Sequence, residues 1–153
     1  GADANVRAVS YNQQVLLVGQ VPSEADKQKA EQVVKGVPNV KAVLNEIDIG
    51  PVADLNRSAT DTLITPKVRA RLIDARDIFG NAFKVTTSNS VVYLMGIVTQ
   101  READRAVQIA RDTTGVSKVV TMFNIINEQQ LQDMRNPQKE NAPPPEPRGN
   151  NPA

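Results

Sequence analysis

The chain has no cysteine, no histidine and no tryptophan, and only two tyrosines and three phenylalanines among 153 residues. Without cysteine there can be no disulfide, thiolate metal site or cysteine nucleophile. Without histidine the usual acid–base relay and most zinc sites are excluded. Serine and threonine hydroxyls are plentiful, but no base of the usual kind stands ready to activate one. An enzyme is therefore not expected, nor is a cofactor. The five aromatic side chains fall mostly at expected strand positions, so they offer no stacking platform, and no strongly basic groove is apparent. Nucleic acid is not an expected partner. No apolar run approaches the length of a membrane span, and no signal peptide is visible. The opening Gly1-Ala2-Asp3 lies close to a strand, as in a trimmed product.

Hydrophobic residues make up 40% of the chain, enough for a core built from Val, Ile, Leu and Ala. The length allows one ordinary domain or two small ones. The formal charge of +1 is unevenly spread. Residues 1–62 carry six basic and eight acidic side chains, residues 63–126 nine and five, and the remainder three and four. Only the middle section favours an anionic partner, and modestly.

The strongest pattern is an internal repeat. Val91, Val92, Tyr93, Leu94, Met95, Gly96, Ile97 and Val98 form an unbroken β-rich run, and Val15, Leu16, Leu17, Val18, Gly19, Gln20 and Val21 repeat it. Each run is preceded by a short alternating segment and a turn, at Asn12-Gln13 and at Asn89-Ser90, so each reads as a hairpin. Each is followed by a helix start: Ser23 with Asp26, and Thr99 with Glu102. Ala30, Val33, Val34 and Val37 mark the first helix face, and Ala103, Ala106, Val107 and Ala110 the second. Gly36 and Gly115 are the expected helix stops. A strand over residues 40–49 closes the first copy, and one over residues 119–126 the second. The interval from Gly36 to Asn45 equals that from Gly115 to Asn124. Gly19 and Gly96 stand alone, outside any phosphate-binding pattern, and mark close backbone approach. The acidic pairs Glu24/Asp26 and Glu102/Asp104 lie in first turns, where carboxylates cap a helix rather than hydrolyse a substrate.

One element precedes only the second copy. Residues 63–79 read as a helix, with Thr65 as N-cap and Pro66 as first helical residue. Val68, Leu72, Ala75 and Phe79 form its inner face. Pro66, Ala70 and Ile73 form an outer strip, joined by Leu63 if the helix starts earlier, and bordered by Lys67 and Arg71 on one side and by Arg69 and Arg76 on the other. Such a strip suits an anionic membrane surface. It also suits an ordinary solvated face with Ile73 touching the other module. Four cations less Asp74 and Asp77 would supply roughly 2–4 kcal/mol at an anionic leaflet, which is millimolar affinity or weaker. Such a helix orients a tethered protein rather than holding it on a membrane.

The expected fold is α+β. It has two helix–strand–strand–helix–strand modules, at residues 1–50 (lacking the leading helix) and 63–127, joined by a linker at 51–62. A disordered proline-rich tail follows from residue 128 to 153. The first module, with one covering helix fewer, should be the less stable.

Two copies of Val-x-Leu-x-Gly-x-Val, each followed by a helix and a closing strand, resemble BON domains. Residues 59–72 resemble the opening of the second domain in the dual BON-domain outer-membrane lipoprotein family (DolP/YraP-like). The resemblance spans about residues 5–126. It implies a non-enzymatic periplasmic protein of Gram-negative bacteria, lipid-anchored to the outer membrane and supporting envelope integrity. It further implies that the second domain binds anionic phospholipid through its first helix, here through Leu63, Lys67, Arg69, Ile73 and Arg76. This chain has Leu63 where relatives often carry tryptophan, and Pro66 falls inside the family's helix. A scaffold that engages envelope proteins through the sheet or the tail is the alternative.

Overall fold

The computed structural model describes residues 5–50 and 55–135, with side chains of the second stretch described from residue 59. Its first sheet begins with β1 (Asn5–Tyr11) and β2 (Gln14–Val21), an antiparallel hairpin. Asn12 and Gln13 both take positive φ (49° and 64°), as a two-residue type I′ turn demands. Helix α1 (Glu24–Lys35) follows, with the Ser23 hydroxyl accepting from the Asp26 amide. The chain then returns parallel to β2 as β3 (Ala42–Asn45) and β4 (Asp48–Ile49). The single strand expected over residues 40–49 is thus broken. Asn45 breaks it, because its Nδ2 donates to the Lys27 carbonyl and its Oδ1 accepts from the Ile47 amide. A side chain that supplies local partners competes with the ladder.

Helix α2 (Leu55–Asp74) opens the second module, ahead of a short 3₁₀ turn at Gly80–Ala82. The hairpin of β5 (Phe83–Ser88) and β6 (Val91–Val98) comes next, then α3 (Gln100–Arg111) and β7 (Lys118–Ile125), which runs parallel to β6. Asn89 and Ser90 repeat the type I′ turn, at φ 53° and 63°. Thr99 and Glu102 form the expected reciprocal capping box.

The expected start of α2 at Pro66 is wrong by eleven residues. Thr65 is not its N-cap but a mid-helix residue whose hydroxyl pairs with that of Thr87 at 2.8 Å. A helical proline costs about 3 kcal/mol. Here the helix runs through Pro66 because the inner face starts earlier than expected: Ile64, Val68 and Leu72, spaced by four, are all fully buried. Residues 55–62 of the expected linker are therefore helical, and 51–54 lie outside the described residues. The far end also differs, since α2 stops at Asp74 and Ile78 rather than Phe79 turns inward. A Cβ at Gly80 would lie 2.6 Å from the Leu72 carbonyl, so only glycine fits that close pass over the helix end.

The Gly36 to Asn45 and Gly115 to Asn124 intervals match by accident. Gly36 is right-handed, and Asn39 (φ 72°) occupies the place of Gly115 (φ 95°). Leu17 pairs with Asn45 while Leu94 pairs with Thr121, so the two asparagines are not counterparts. One extra residue before α1 shifts the copies out of step, since Pro22 and Ser23 stand where Thr99 stands alone.

The tail expected from residue 128 begins instead with a helix, α4 (Glu128–Arg135). Asn127 and Gln130 cap it reciprocally, each side chain accepting from the other's amide. Leu131 is buried, and Arg135 reaches the buried carboxylate of Glu102 at 2.9 Å while lying over the Phe79 ring. Residues 136–153 lie outside the described residues.

Three cores result. One lies beneath α1 and gathers Val15, Leu17, Val21 and Ile47. A larger one lies beneath α2 and α3 and includes Ile64, Val68, Leu72, Phe83, Leu94 and Ile109. The third is a seam between the modules: Leu16 and Val18 of β2 pack with Tyr93 and Met95 of β6. Alternation along each strand explains this, because odd positions of β2 face α1 and even ones face the other sheet. Burial, with the charges of Glu46 and Asp48 adding to it, pushes the Tyr93 hydroxyl well above its ordinary pKa. Lys84 donates to the Ser10 carbonyl and Arg7 to that of Thr87, so each module's basic side chain covers a carbonyl on the other's outer strand.

Candidate functional site

Because the two sheets pack back to back, the helices of the second module face away from the seam. The outer side of α2 is consequently open. Leu63 is 61% and Ile73 53% exposed, and Pro66 and Ala70 between them are exposed as well. Ile73 is not sealed against the first module. From Leu63 to Ile73 the strip runs about 15 Å along the helix.

The bordering cations are not equivalent. Lys67 and Arg69 are exposed on α2, and neither forms an ion pair among the described residues. Arg76, also exposed and without an ion pair there, follows the helix end and belongs to the turn rather than the strip. Arg71 is committed elsewhere. Its Nη1 donates to the Ile109 carbonyl and to the Thr113 hydroxyl, both at 2.8 Å, which caps the C-terminal end of α3. Asp77 is likewise occupied, bound by Arg105 at 3.0 Å and, through its carbonyl, by Arg101. The structure therefore brings together Leu63, Lys67, Arg69 and Ile73, with Arg76 one turn beyond.

Two of the four acidic residues expected as caps act as such: Glu102 accepts from the Thr99 amide, and Asp26 joins Ser23. Asp104 and Glu24 instead accept from the side chains of Gln100 and Gln28 along the helix surface. Burial raises the Glu102 pKa, but hydrogen bonds from Arg135 and from the Thr99 and Phe79 amides outweigh it and hold the carboxyl below its ordinary value. Among the described residues no group of acidic side chains is arranged to hold a metal, and no helix is long and apolar enough to cross a membrane.

Two features were missed in the sequence. Phe79, assigned to the inner face, is half exposed beneath Arg135. A polar cleft also opens between the modules, beside α2. No local pattern marks it, because its walls come from five separated segments.

A model of the BON domain matches residues 2–51 and 60–127, which are the two modules just described. The chain belongs to the BON domain family. It is 36% identical over 126 residues to the outer membrane lipoprotein DolP of Haemophilus influenzae, covering 82% of this chain and 65% of that protein. It is 31% identical over 124 residues to the 21 kDa hemolysin of Actinobacillus pleuropneumoniae, covering 81% and 64%. The osmotically-inducible protein Y of Escherichia coli is 33% identical over 108 residues, covering 69% and 54%. The chain thus spans just under two thirds of the first two relatives and about half of the third. Within the BON family pattern, α2 is the leading helix of the second domain, and the first domain has no counterpart among the described residues.

Proposed function

We propose that this BON protein is a non-enzymatic component of the bacterial envelope that supports its integrity. On this reading it is periplasmic, lipid-anchored to the outer membrane, and touches anionic phospholipid through the outer face of α2. The observation that supports the contact is a helix face with two exposed aliphatic residues, Leu63 and Ile73, beside cations that form no ion pair among the described residues. Likeness to an outer membrane lipoprotein supports the location. Leu63 and Ile73 enter shallowly between head groups, while Lys67, Arg69 and Arg76 lie among the phosphates. With Arg71 committed to α3 and Asp77 to Arg105, three cations less Asp74 supply about 2 kcal/mol, so the helix orients a protein held by its anchor.

Liposome flotation tests this. Vesicles containing phosphatidylglycerol should carry the protein upward and pure phosphatidylcholine vesicles should not. The double variant Ile73→Asp with Arg69→Glu should abolish the difference. Unchanged flotation by that variant would move the contact elsewhere. For the scaffold alternative, the seam already covers Leu16 and Val18 of one sheet and Tyr93 and Met95 of the other, and most of the tail lies outside the described residues.

A further inference from the structure

The two ends of the seam are built differently. At one end Gln14 donates from Nε2 to Asn124 Oδ1 at 2.9 Å and closes it. At the other, the apolar packing stops at Val18 and the same face of the first sheet turns polar. Arg7 stands opposite Val18 in the register, and Asn5, Gln20 and Asp48 lie side by side across β1, β2 and β4. Facing them are α2 and the β5–β6 turn, with a cleft of about 530 Å³ between.

Much of the wall is already committed. Asp61 accepts from the amides of Asn89 and Ser90 at 2.6 and 2.7 Å, so both its oxygens serve the turn. Thr65 and Thr87 pair with each other. Three of the remaining wall groups bear most on a ligand. Gln20 Oε1 is shut off from solvent with no donor, and is the one buried side-chain polar atom so left among the described residues. Asp48 is exposed and has a single long approach, from Asn89 Nδ2 at 3.4 Å. Arg7 gives one N–H to the Thr87 carbonyl and retains the rest of its fork.

This is an acceptor row beside one guanidinium. A simple anion is repelled by Asp48 and Asp61, and a simple cation by Arg7. A ligand with a primary ammonium close to a phosphate satisfies both. We propose that the cleft binds the phosphoethanolamine group, with Asp48 and Gln20 holding the ammonium and Arg7 the phosphate. The terminal torsion of glutamine is broad, so the amide can turn its oxygen to the ligand at little cost. A buried carbonyl without a donor is unfavourable, and an ammonium removes that penalty. The group can arrive as a soluble compound or as a lipid head. The lipid source rests on the α2 reading above. Pro66 borders the cleft and belongs to the outer strip, and Arg69 follows Thr65 on the same flank.

The test is a ¹⁵N-resolved NMR titration of the whole chain with O-phosphoethanolamine, phosphocholine and inorganic phosphate. Phosphoethanolamine should move the Gln20 and Asn89 side-chain amides. Phosphocholine, whose quaternary nitrogen has no proton to donate, should bind about tenfold more weakly, as should phosphoethanolamine to Asp48→Asn. Gln20→Leu, which removes the orphan oxygen, should stay folded and lose the response. Equal responses to phosphocholine or inorganic phosphate would overturn the proposal, as would an unchanged Asp48→Asn. So would silence at Gln20, which would leave a bound water as its partner.

Phosphatidylcholine vesicles with and without phosphatidylethanolamine then separate the sources. Soluble binding without vesicle preference keeps the site and removes the lipid. Loss of phosphatidylglycerol flotation in Arg69→Glu, with the titration intact, would show that the two surfaces stand or fall separately.

Discussion

Val33 of α1 and Ile109 of α3 hold the same place in the two modules, counted from their caps at Ser23 and Thr99, yet one is 65% exposed and the other 4%. Val6 and Phe83, opposite Gly19 and Gly96, differ in the same way, at 41% and 5%. The cause is α2. In the second module Ile64, Val68 and Leu72 fill the space above these positions. In the first the same space is a groove of about 570 Å³, lined by Val6, Leu17, Ala30 and Val33. The comparison teaches that the repeat specifies the strand–turn–strand–helix–strand frame, whereas the depth of each core depends on a helix outside the repeat. It also bears on why the second module presents the proposed lipid face, since α2 lies there with Ile64, Val68 and Leu72 buried and Leu63 and Ile73 exposed.

The comparison is broken most sharply by placing a charge at equivalent sites. Ile109→Lys should cost on the order of 4 kcal/mol or unfold the module, while Val33→Lys should stay within about 0.5 kcal/mol. Urea denaturation of both variants measures this. Truncating the paired central leucines should give a smaller gap. Leu94→Ala should lose about 3–5 kcal/mol and Leu17→Ala about 2–3, because the open groove lets its surroundings relax. Equal losses would mean that the first core is as closed as the second.

The caps give the next step down. Glu102 and Asp26 both stand three residues after the N-cap, but Glu102 is buried and paired with Arg135 while Asp26 is exposed. Arg135→Ala should cost about 2 kcal/mol, discounted because that guanidinium is partly solvated, and Asp26→Ala under about 1. Acid sharpens the contrast. Since the folded pKa of Glu102 is depressed, its stabilisation is complete above about pH 5 and is lost as pH falls through the folded value. Thermal melts of wild type and Glu102→Gln should therefore converge on acidification, and a constant gap would contradict the pairing. The smallest effect belongs to the outer strip. Lys67→Glu and Arg69→Glu should leave stability within about 0.5 kcal/mol while weakening binding to anionic vesicles.

Much of the frame was legible because it is written in local chemistry. Both type I′ turns, the Ser23 and Thr99 caps and the buried runs of β2 and β6 depend on neighbours in sequence. Failures came where distant contacts overrule a local preference. Pro66 reads as a helix start, yet burying Ile64 one turn earlier carries the helix through it. Asn45 reads as a strand residue, yet the carbonyl of Lys27 draws its side chain out of the ladder. The Asn127–Gln130 box was present as a local cue, but the proline-rich composition beyond it hid α4. Of the proposed contact residues, Lys67, Arg69 and Ile73 were placed by helical spacing, whereas Leu63 joins them only because α2 starts before Thr65. The commitment of Arg71 was not, because its partners lie on α3. Nor was the cleft, whose polar row is assembled by strand register.

Which module meets the bilayer is decided most directly by paramagnetic quenching of backbone signals with spin-labelled lipid in phosphatidylglycerol-containing bicelles. The account predicts loss of intensity at Leu63, Pro66-flanking amides, Ala70 and Ile73, with α1 around Val33 and Val37 untouched although both valines are exposed. Quenching centred on α1, with α2 unaffected, would contradict it.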